Sequence, residues 1–446
     1  MTGIFVMKKQ FYKFIFLFAL LLGGQVLLAQ VVSDGSVYSR YGLGERHHYN
    51  NSRSAAMGGA GTGYSDAIYV SANNPATLSY QVLTRFSGGY RYQANRFSDK
   101  AGNTSNLGVG SIEHFQFSFP IVDRKLGLGV TFLPYSRTGY RVQTKGELPK
   151  GDGYPDTTQY VTSYEGRGSL HQFEVGLGGK LGKLVSVGAG LRLYTGQIDH
   201  IQRTSFDDVV NFTERLSTTN TRLYGMGSNF GVHFEKTKLG KKKNQEIGLG
   251  ATLSLPTSLK TRRTRILGEN EIVDTLSVSS NFTTTLPRAL TVGLAYRPNE
   301  NVLIVADYLT EDWTGFKSGL AFGGYNPAVA TGNQFQDRTR IGVGAEYVPA
   351  GRNFRDNYFM RAAYRIGVYT EGGYFKPISN QNYFLRTNAL TAGVSLPTRK
   401  VGTTMDINVE VGMRGTTDYG LVRDLYFKMG LYLNFGEKWF QRFKIQ

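Results

Sequence analysis

Residues 405–414 read Met405-Asp406-Ile407-Asn408-Val409-Glu410-Val411-Gly412-Met413-Arg414. Odd positions are apolar and even ones are charged, polar or glycine, so an extended chain here presents two faces to two different environments. The next stretch repeats the pattern. Leu425, Phe427, Met429, Leu431, Leu433 and Phe435 alternate with Tyr426, Lys428, Gly430, Tyr432 and Asn434. Such period-two alternation is the mark of a strand, and no helical period competes with it.

Working outward, the alternation recurs at 126–132, 173–177, 185–193, 247–255, 290–296, 341–347 and 360–368. Fourteen strands are predicted, near 82–94, 107–120, 125–142, 160–180, 183–199, 217–235, 245–256, 287–297, 301–312, 336–348, 357–371, 386–397, 402–415 and 422–436. The ninth lacks a clean alternation. Connections alternate between long (95–106, 143–159, 200–216, 257–286, 313–335, 372–385) and short (121–124, 181–182, 298–300, 349–356, 398–401), with 236–244 intermediate. Only 416–421 is short where a long one is expected.

Long loops on one side and tight turns on the other are what an outer-membrane barrel produces. Lipid cannot satisfy exposed backbone groups, so closure is obligatory, and about 10 tilted residues per strand suffice to cross. The fold expected is all-β: a closed antiparallel transmembrane β-barrel of about 14 strands, both barrel ends on the short-turn side. A secreted sandwich would also alternate, but the strand lengths and the loop asymmetry favour the barrel.

Composition agrees. The 446 residues include 56 Gly, 28 Tyr, 28 Phe and no Cys, with 51 Lys+Arg against 33 Asp+Glu. Beyond the first thirty residues no apolar run approaches the roughly 18 to 20 of a spanning helix, which excludes a polytopic helical transporter. The aromatic content argues against disorder. Absence of cysteine removes disulfide frameworks, thiol nucleophiles and a lipidated N-terminal cysteine.

Lys8, Lys9 and Lys13 precede the apolar Phe14–Leu22, and Leu27-Leu28-Ala29 offers a cleavage site before Gln30, so 1–29 is expected to be a signal peptide. Its removal takes away three Lys and no acid, lowering the formal charge from +18 to +15. Residues 30–80 lack the alternation and are rich in small residues, which suits a compact N-terminal hatch fitted inside the barrel of 81–436. Residues 437–446 are expected to form a periplasmic C-terminal tail.

Two stretches carry a family resemblance. Arg53-Ser-Ala-Ala-Met57-Gly58-Gly59-Ala60-Gly61, followed by Asp66-Ala67-Ile68-Tyr69 and Asn74-Pro75-Ala76, resembles the N-terminal hatch of the FadL/TodX-like outer-membrane transporters of hydrophobic compounds. Leu286–Tyr296, with Asp307-Tyr308 and Trp313 beyond it, resembles a second run of that family. The style of the sequence is similar to a Bacteroidetes-type branch, where related barrels also serve type IX secretion. The resemblance implies a hatch built on Met57, Gly58, Gly59, Gly61, Asn74, Pro75 and Ala76, a location in the outer membrane of a Gram-negative bacterium, and lateral release of cargo into the bilayer.

Strand parity directs Glu174, Arg192, Arg297, Glu346, Arg361, Arg365, Asp406, Glu410, Arg414 and Lys428 into the lumen. Pairing among themselves and with the plug is the expected role, with a carboxylate headgroup on Arg361 and Arg365 as the alternative. Glycine rows at Gly127/Gly129, Gly176/Gly178, Gly188/Gly190 and Gly342/Gly344 leave room for a hatch backbone, a channel or a lateral kink. Gly59–Gly63 does not complete a dinucleotide fingerprint, because Tyr64 ends it. His47-His48 is expected to be a solvated loop dyad, no metal spacing occurs, and no catalytic elbow is present. Neither an enzyme, a cofactor nor nucleic-acid binding is expected, since the basic excess falls in the short turns and would ring the periplasmic mouth beside lipid headgroups.

The leading function is passive uptake of hydrophobic small molecules, such as long-chain fatty acids or aromatic hydrocarbons, with Ala321–Tyr325 as the first contact. The partners are then that ligand and outer-membrane lipids. The alternatives are a protein-binding component of an outer-membrane secretion machinery, and a general porin.

Overall fold

The computed structural model describes residues 35–149, 157–207, 212–269 except 242, 272–329, 334–377 except 352 and 354, 384–398, 400 and 402–439. The expected signal at 1–29, Lys242, Arg399, and Arg442 and Lys444 of the tail lie outside the described residues.

The wall is one closed antiparallel sheet. Its strands are β1 (Thr84–Ser98), β2 (Thr104–Val122), β3 (Leu126–Pro149), β4 (Thr157–Leu181), β5 (Val185–Phe206) and β6 (Arg215–Leu239). Two kinked strands follow, β7 (Gln245–Ser254 and Thr257–Glu269) and β8 (Ile272–Leu286 and Ala289–Arg297). The second half comprises β9 (Val302–Glu311), β10 (Arg338–Tyr347), β11 (Ala363–Gly372), β12 (Arg386–Pro397), β13 (Thr404–Arg414) and β14 (Arg423–Glu437). The kinks fall at Pro256 and Pro287, where proline has no N–H to give a ladder. Closure comes from β14 pairing with β1, from Arg423↔Ser98 to Glu437↔Thr84, so no edge faces lipid there.

The alternation in β14 now has its cause. Leu425, Phe427, Met429, Leu431, Leu433 and Phe435 are 41–47% exposed on the outer surface, while Tyr426, Tyr432 and Asn434 are 3% exposed inside. The same outer belt continues through Val175, Leu191, Leu249, Val292, Ile341 and Ile366. An apolar girdle around a closed barrel belongs in a bilayer, and the protein is an outer-membrane β-barrel. No helix among the described residues is long and apolar enough to cross a membrane. Strand β9 alternates poorly because its inner positions Leu303 and Val305 are apolar too, packing against Met57 and Ala60.

The expected long connections are partly wall. Strands β3 to β6 run 24, 25, 22 and 25 residues, well beyond the about 10 needed to cross. Residues 257–286, read from sequence as a loop, form the hairpin Thr257–Glu269/Ile272–Leu286 instead. Threonine, serine and arginine on both faces hide that extension from an apolar-alternation test. The connection read as a short 349–356 extends over 348–362 and carries a 3-10 turn at Tyr358–Met360. One half of the barrel, β3–β8, is therefore tall and the other low.

Candidate functional site

Residues 35–81 lie inside this wall and are built from caps and tight turns. Asn51 caps Ser52–Ala55 in a reciprocal capping box, and Asn74 caps the 3-10 turn Pro75–Tyr80 with Pro75 in its first turn. Gly58 and Gly59 have φ of 66° and 79°, a left-handed pair that reverses the chain against β10 and β11.

The glycine rows on the wall receive this backbone. A Cβ on Gly127 or Gly129 would meet Leu78, on Gly178 or Gly188 the Pro75–Ala76 peptide, and on Gly342 or Gly344 the Met57–Gly58 backbone. Gly190 differs, since its space is taken by the Glu174 carboxylate. Polar groups complete the seat. Asp307 accepts from the N–H groups of Gly61 (3.0 Å) and Thr62 (2.9 Å), Thr391 Oγ1 accepts from Gly58 N–H (2.9 Å), and Asn74 donates to Val232 O (3.2 Å). His48 Nε2 lies 3.2 Å from Gly59 O. Met57 and Ala76 are fully buried.

Four charged clusters tie the segment to the wall. In the first, Arg46 binds Glu311 (2.7 Å), which also binds Arg338 (2.9 Å); Glu371 then bridges Arg338 (2.8 Å) and Arg340 (2.6 Å), and Arg340 donates to Gly58 O. In the second, Arg53 binds Asp66 (2.8 Å) and Glu346, and Glu346 also holds Arg365 (2.8 Å), which donates to Tyr69. The third pairs Glu45 with Arg414 (2.5 Å) beside Glu410–Lys428 (2.9 Å). The fourth sets Glu113 between His47 (3.2 Å) and Arg91 (3.0 Å). Burial pushes the Glu45 carboxyl up, but Arg414 outweighs it and holds it at about 2. Burial keeps the His47 imidazole neutral, down at about 4, against the pull of Glu113.

These contacts revise several expectations. Glu346, Arg365, Glu410 and Arg414 point into the lumen and are paired there. Arg361 does not share a strand with Arg365: it sits at the end of the Tyr358–Met360 turn, before β11 begins. A two-arginine headgroup clamp at 361 and 365 is thereby removed. His47 and His48 are half-buried and line the lumen cavity, in contact with Glu113 and with Gly59 O, rather than forming an exposed loop dyad. Phe322, expected in an exposed first-contact loop, is 8% exposed inside a cluster with Trp313, Phe316, Phe335 and Tyr374. That cluster caps the lumen on the long-loop side, with Trp313 stacked on Tyr374 at 3.9 Å and Gly42 N–H donating to Gly323 O. Sequence reading passed over Arg46, Arg137, Glu311, Arg338 and Glu371; the lumen parity of Arg338 and Arg340 on β10 was the available signal.

The wall has one interrupted seam among the described residues. Strands β2 and β3 pair only from Val122↔Leu126 up to Phe115↔Phe132. Above that level β2 stays with β1 as far as Thr104↔Ser98, and β3 stays with β4 as far as Pro149↔Thr157. The parting begins at Pro134, where the β3–β4 register also shifts. Residues Glu45–Arg46 of the inner segment fill part of the gap by pairing with Ser136 and Arg137. Arg137 crosses the rest, donating to Ile112 O (2.6 Å) and to Ser111 Oγ.

A cavity of about 1110 Å³ runs to this seam, with Val109, Ile112, Phe132 and Pro134 at the opening. Its walls carry eight basic side chains against five acidic ones, so it is net positive. Among the described residues no group of side chains has a metal-binding arrangement.

The fold has known counterparts. The structure of a Ralstonia pickettii toluene transporter, TbuX, superposes with a TM-score of 0.56 at 16% identity, over 87% of this chain and 99% of the other. The P. putida toluene transporter TodX matches with 0.56 at 16%, over 89% and 100%. A Pseudomonas aeruginosa FadL homologue gives 0.56 at 11%, over 87% and 98%. The resemblance to FadL/TodX-like barrels thus holds in three dimensions, and at these identities it is a likeness of fold. No curated protein matches the chain in sequence. The model of one family, described as BamG, matches residues 7–446, and this chain belongs to the BamG family.

Proposed function

We propose that the protein is an outer-membrane channel that passes amphipathic small molecules from the cell exterior through its lumen and sideways into the bilayer, the segment 35–81 acting as its hatch. The observation that carries this reading is the cavity's continuity with the β2–β3 seam, where the wall lacks strand pairing and an arginine and two residues of the inner segment bridge the gap. A seam of this kind lets a molecule leave at membrane depth without crossing the periplasm. The hatch residues of this reading are Met57, Gly58, Gly59, Gly61, Asn74, Pro75 and Ala76.

The lining refines the cargo. A net-positive chamber suits a molecule with an anionic head and an apolar tail, such as a long-chain fatty acid, better than an uncharged aromatic hydrocarbon. Uptake of a labelled long-chain carboxylate by cells lacking the protein, against cells restored with it, tests the proposal. Uptake should fall on deletion, and unchanged uptake together with blocked protein export would refute it.

One feature favours a second reading, a barrel that serves a protein machinery. Three buried charged clusters and the contact of neutral His47 with Glu113 hold the inner segment, a firm attachment for a part that must move. Under that reading a stoichiometric protein partner accompanies the barrel through purification.

A further inference from the structure

The turns at the end of the barrel where Thr84 of β1 meets Glu437 of β14 are rich in basic side chains. Under the tall half, Arg124 and Lys125 share the β2–β3 turn with Asp123, Lys183 occupies the β4–β5 turn, Lys238 the end of β6, and Lys241 and Lys243 the β6–β7 turn, all exposed. None of the six is in an ion pair among the described residues. Elsewhere on this rim two cations are paired: Arg297 at the end of β8 with Glu246 on β7 (3.2 Å), and Lys400 with Glu437 (2.9 Å).

Backbone conformation singles out three of these six. Among the described residues five non-glycine residues have positive φ, and three of them are Arg124 (55°), Lys238 (60°) and Lys243 (53°). Glycine or asparagine would adopt this left-handed conformation at less cost than a long basic residue. Long basic side chains held at strained turn positions point to a role beyond making the turn.

Apolar neighbours identify the partner. Ile121 (48% exposed) and Val122 (47%) precede Arg124, and Leu181 (62%) and Leu184 (43%) flank Lys183. These residues continue the lipid-facing belt directly into the basic turns. Cations at the lower margin of an apolar belt sit at headgroup depth, where an anionic surface attracts them and their stems remain in contact with acyl chains. An acidic protein surface would meet the charges but leave the leucines uncovered.

We infer that the turns of β2–β7 form a binding sector for anionic phospholipid headgroups of the inner leaflet, which anchors the tall half of the barrel. The test uses the full-length protein in nanodiscs of phosphatidylcholine with phosphatidylglycerol, with retained lipid read by native mass spectrometry. The wild type should retain phosphatidylglycerol about tenfold over its bulk fraction, and added salt should lower this. The triple variant K183E/K238E/K241E should lose the enrichment. The variant K238G/K243G separates binding from folding: it should melt at a higher temperature than wild type, because strain is relieved, yet retain severalfold less phosphatidylglycerol. Equal retention in wild type and both variants, or an acidic protein that displaces the lipid without loss of barrel stability, would overturn the inference.

Discussion

Arg137 on β3 donates a hydrogen bond of 2.6 Å to the main-chain carbonyl of Ile112 on β2, across the stretch of wall where these neighbouring strands no longer pair. A side chain stands there in place of a ladder, and it is the simplest element of the seam to remove. Arg137→Ala should release the Ser111–Ile112 edge at a cost of about 1.5–3 kcal/mol. Faster amide exchange confined to residues 104–113 is the expected readout. Unchanged exchange there would show that the seam is held by other contacts.

The inner segment depends on space as much as on bonds. Gly188→Val would force a side chain into the Pro75–Ala76 peptide, and repacking backbone is costly, about 1–3 kcal/mol or more. Limited proteolysis should then cut within residues 50–80 while the barrel keeps its resistance to detergent. Gly179→Ala, whose added Cβ would meet nothing closer than 3.5 Å, should leave residues 50–80 as resistant as in wild type.

Glu346 neutralises Arg53 from the inner segment and Arg365 from the wall. Glu346→Ala leaves Arg53 with Asp66 alone (2.8 Å) and Arg365 with only the longer contact to Asp406 (3.7 Å), and should destabilise the seated segment by about 3 kcal/mol. Replacing the pair, with Glu346→Leu and Arg53→Met together, should recover much of that loss. A double-mutant cycle in thermal melts measures the coupling, and additivity would contradict it.

Acid should loosen the segment at His47. Its ring ionises at about 4 when seated, against 6.5 for the ordinary group, so the released segment binds more protons between these values. Seating is therefore fully favourable above pH 6.5 and weakens as pH falls toward 4, with Glu113, Arg91 and Arg137 the charged groups that face the ring. Accessibility of a cysteine at Ala55 to a thiol reagent should rise over that window, and His47→Gln should flatten the rise.

Much of the barrel was legible because lipid imposes a strict rule on one face. In β14, Leu425 to Phe435 read directly as belt, and strand number and closure followed from such stretches. Where lipid does not reach, the rule lapses. The hairpin Thr257–Glu269/Ile272–Leu286 rises above the membrane and alternates threonine and serine with arginine, so it read as a loop. The small residues of 54–63 signalled close packing, but which wall glycine faces Met57 or Pro75 depends on register, which sequence alone does not supply. The seam was hidden for the same reason: Pro134 marks a break, and only the pairing of Phe115 with Phe132 shows where the strands part.

The central claim, passage of an anionic amphiphile through the lumen and out at the β2–β3 seam, is tested most directly in liposomes that contain the purified full-length protein. Transfer of a fluorescent long-chain carboxylate into the bilayer should be accelerated by the wild-type barrel, increased further by Arg137→Ala, and abolished when the inner segment is cross-linked over the gap between residues 46 and 112. Transfer no faster than in protein-free liposomes, for wild type and Arg137→Ala alike, would contradict the account.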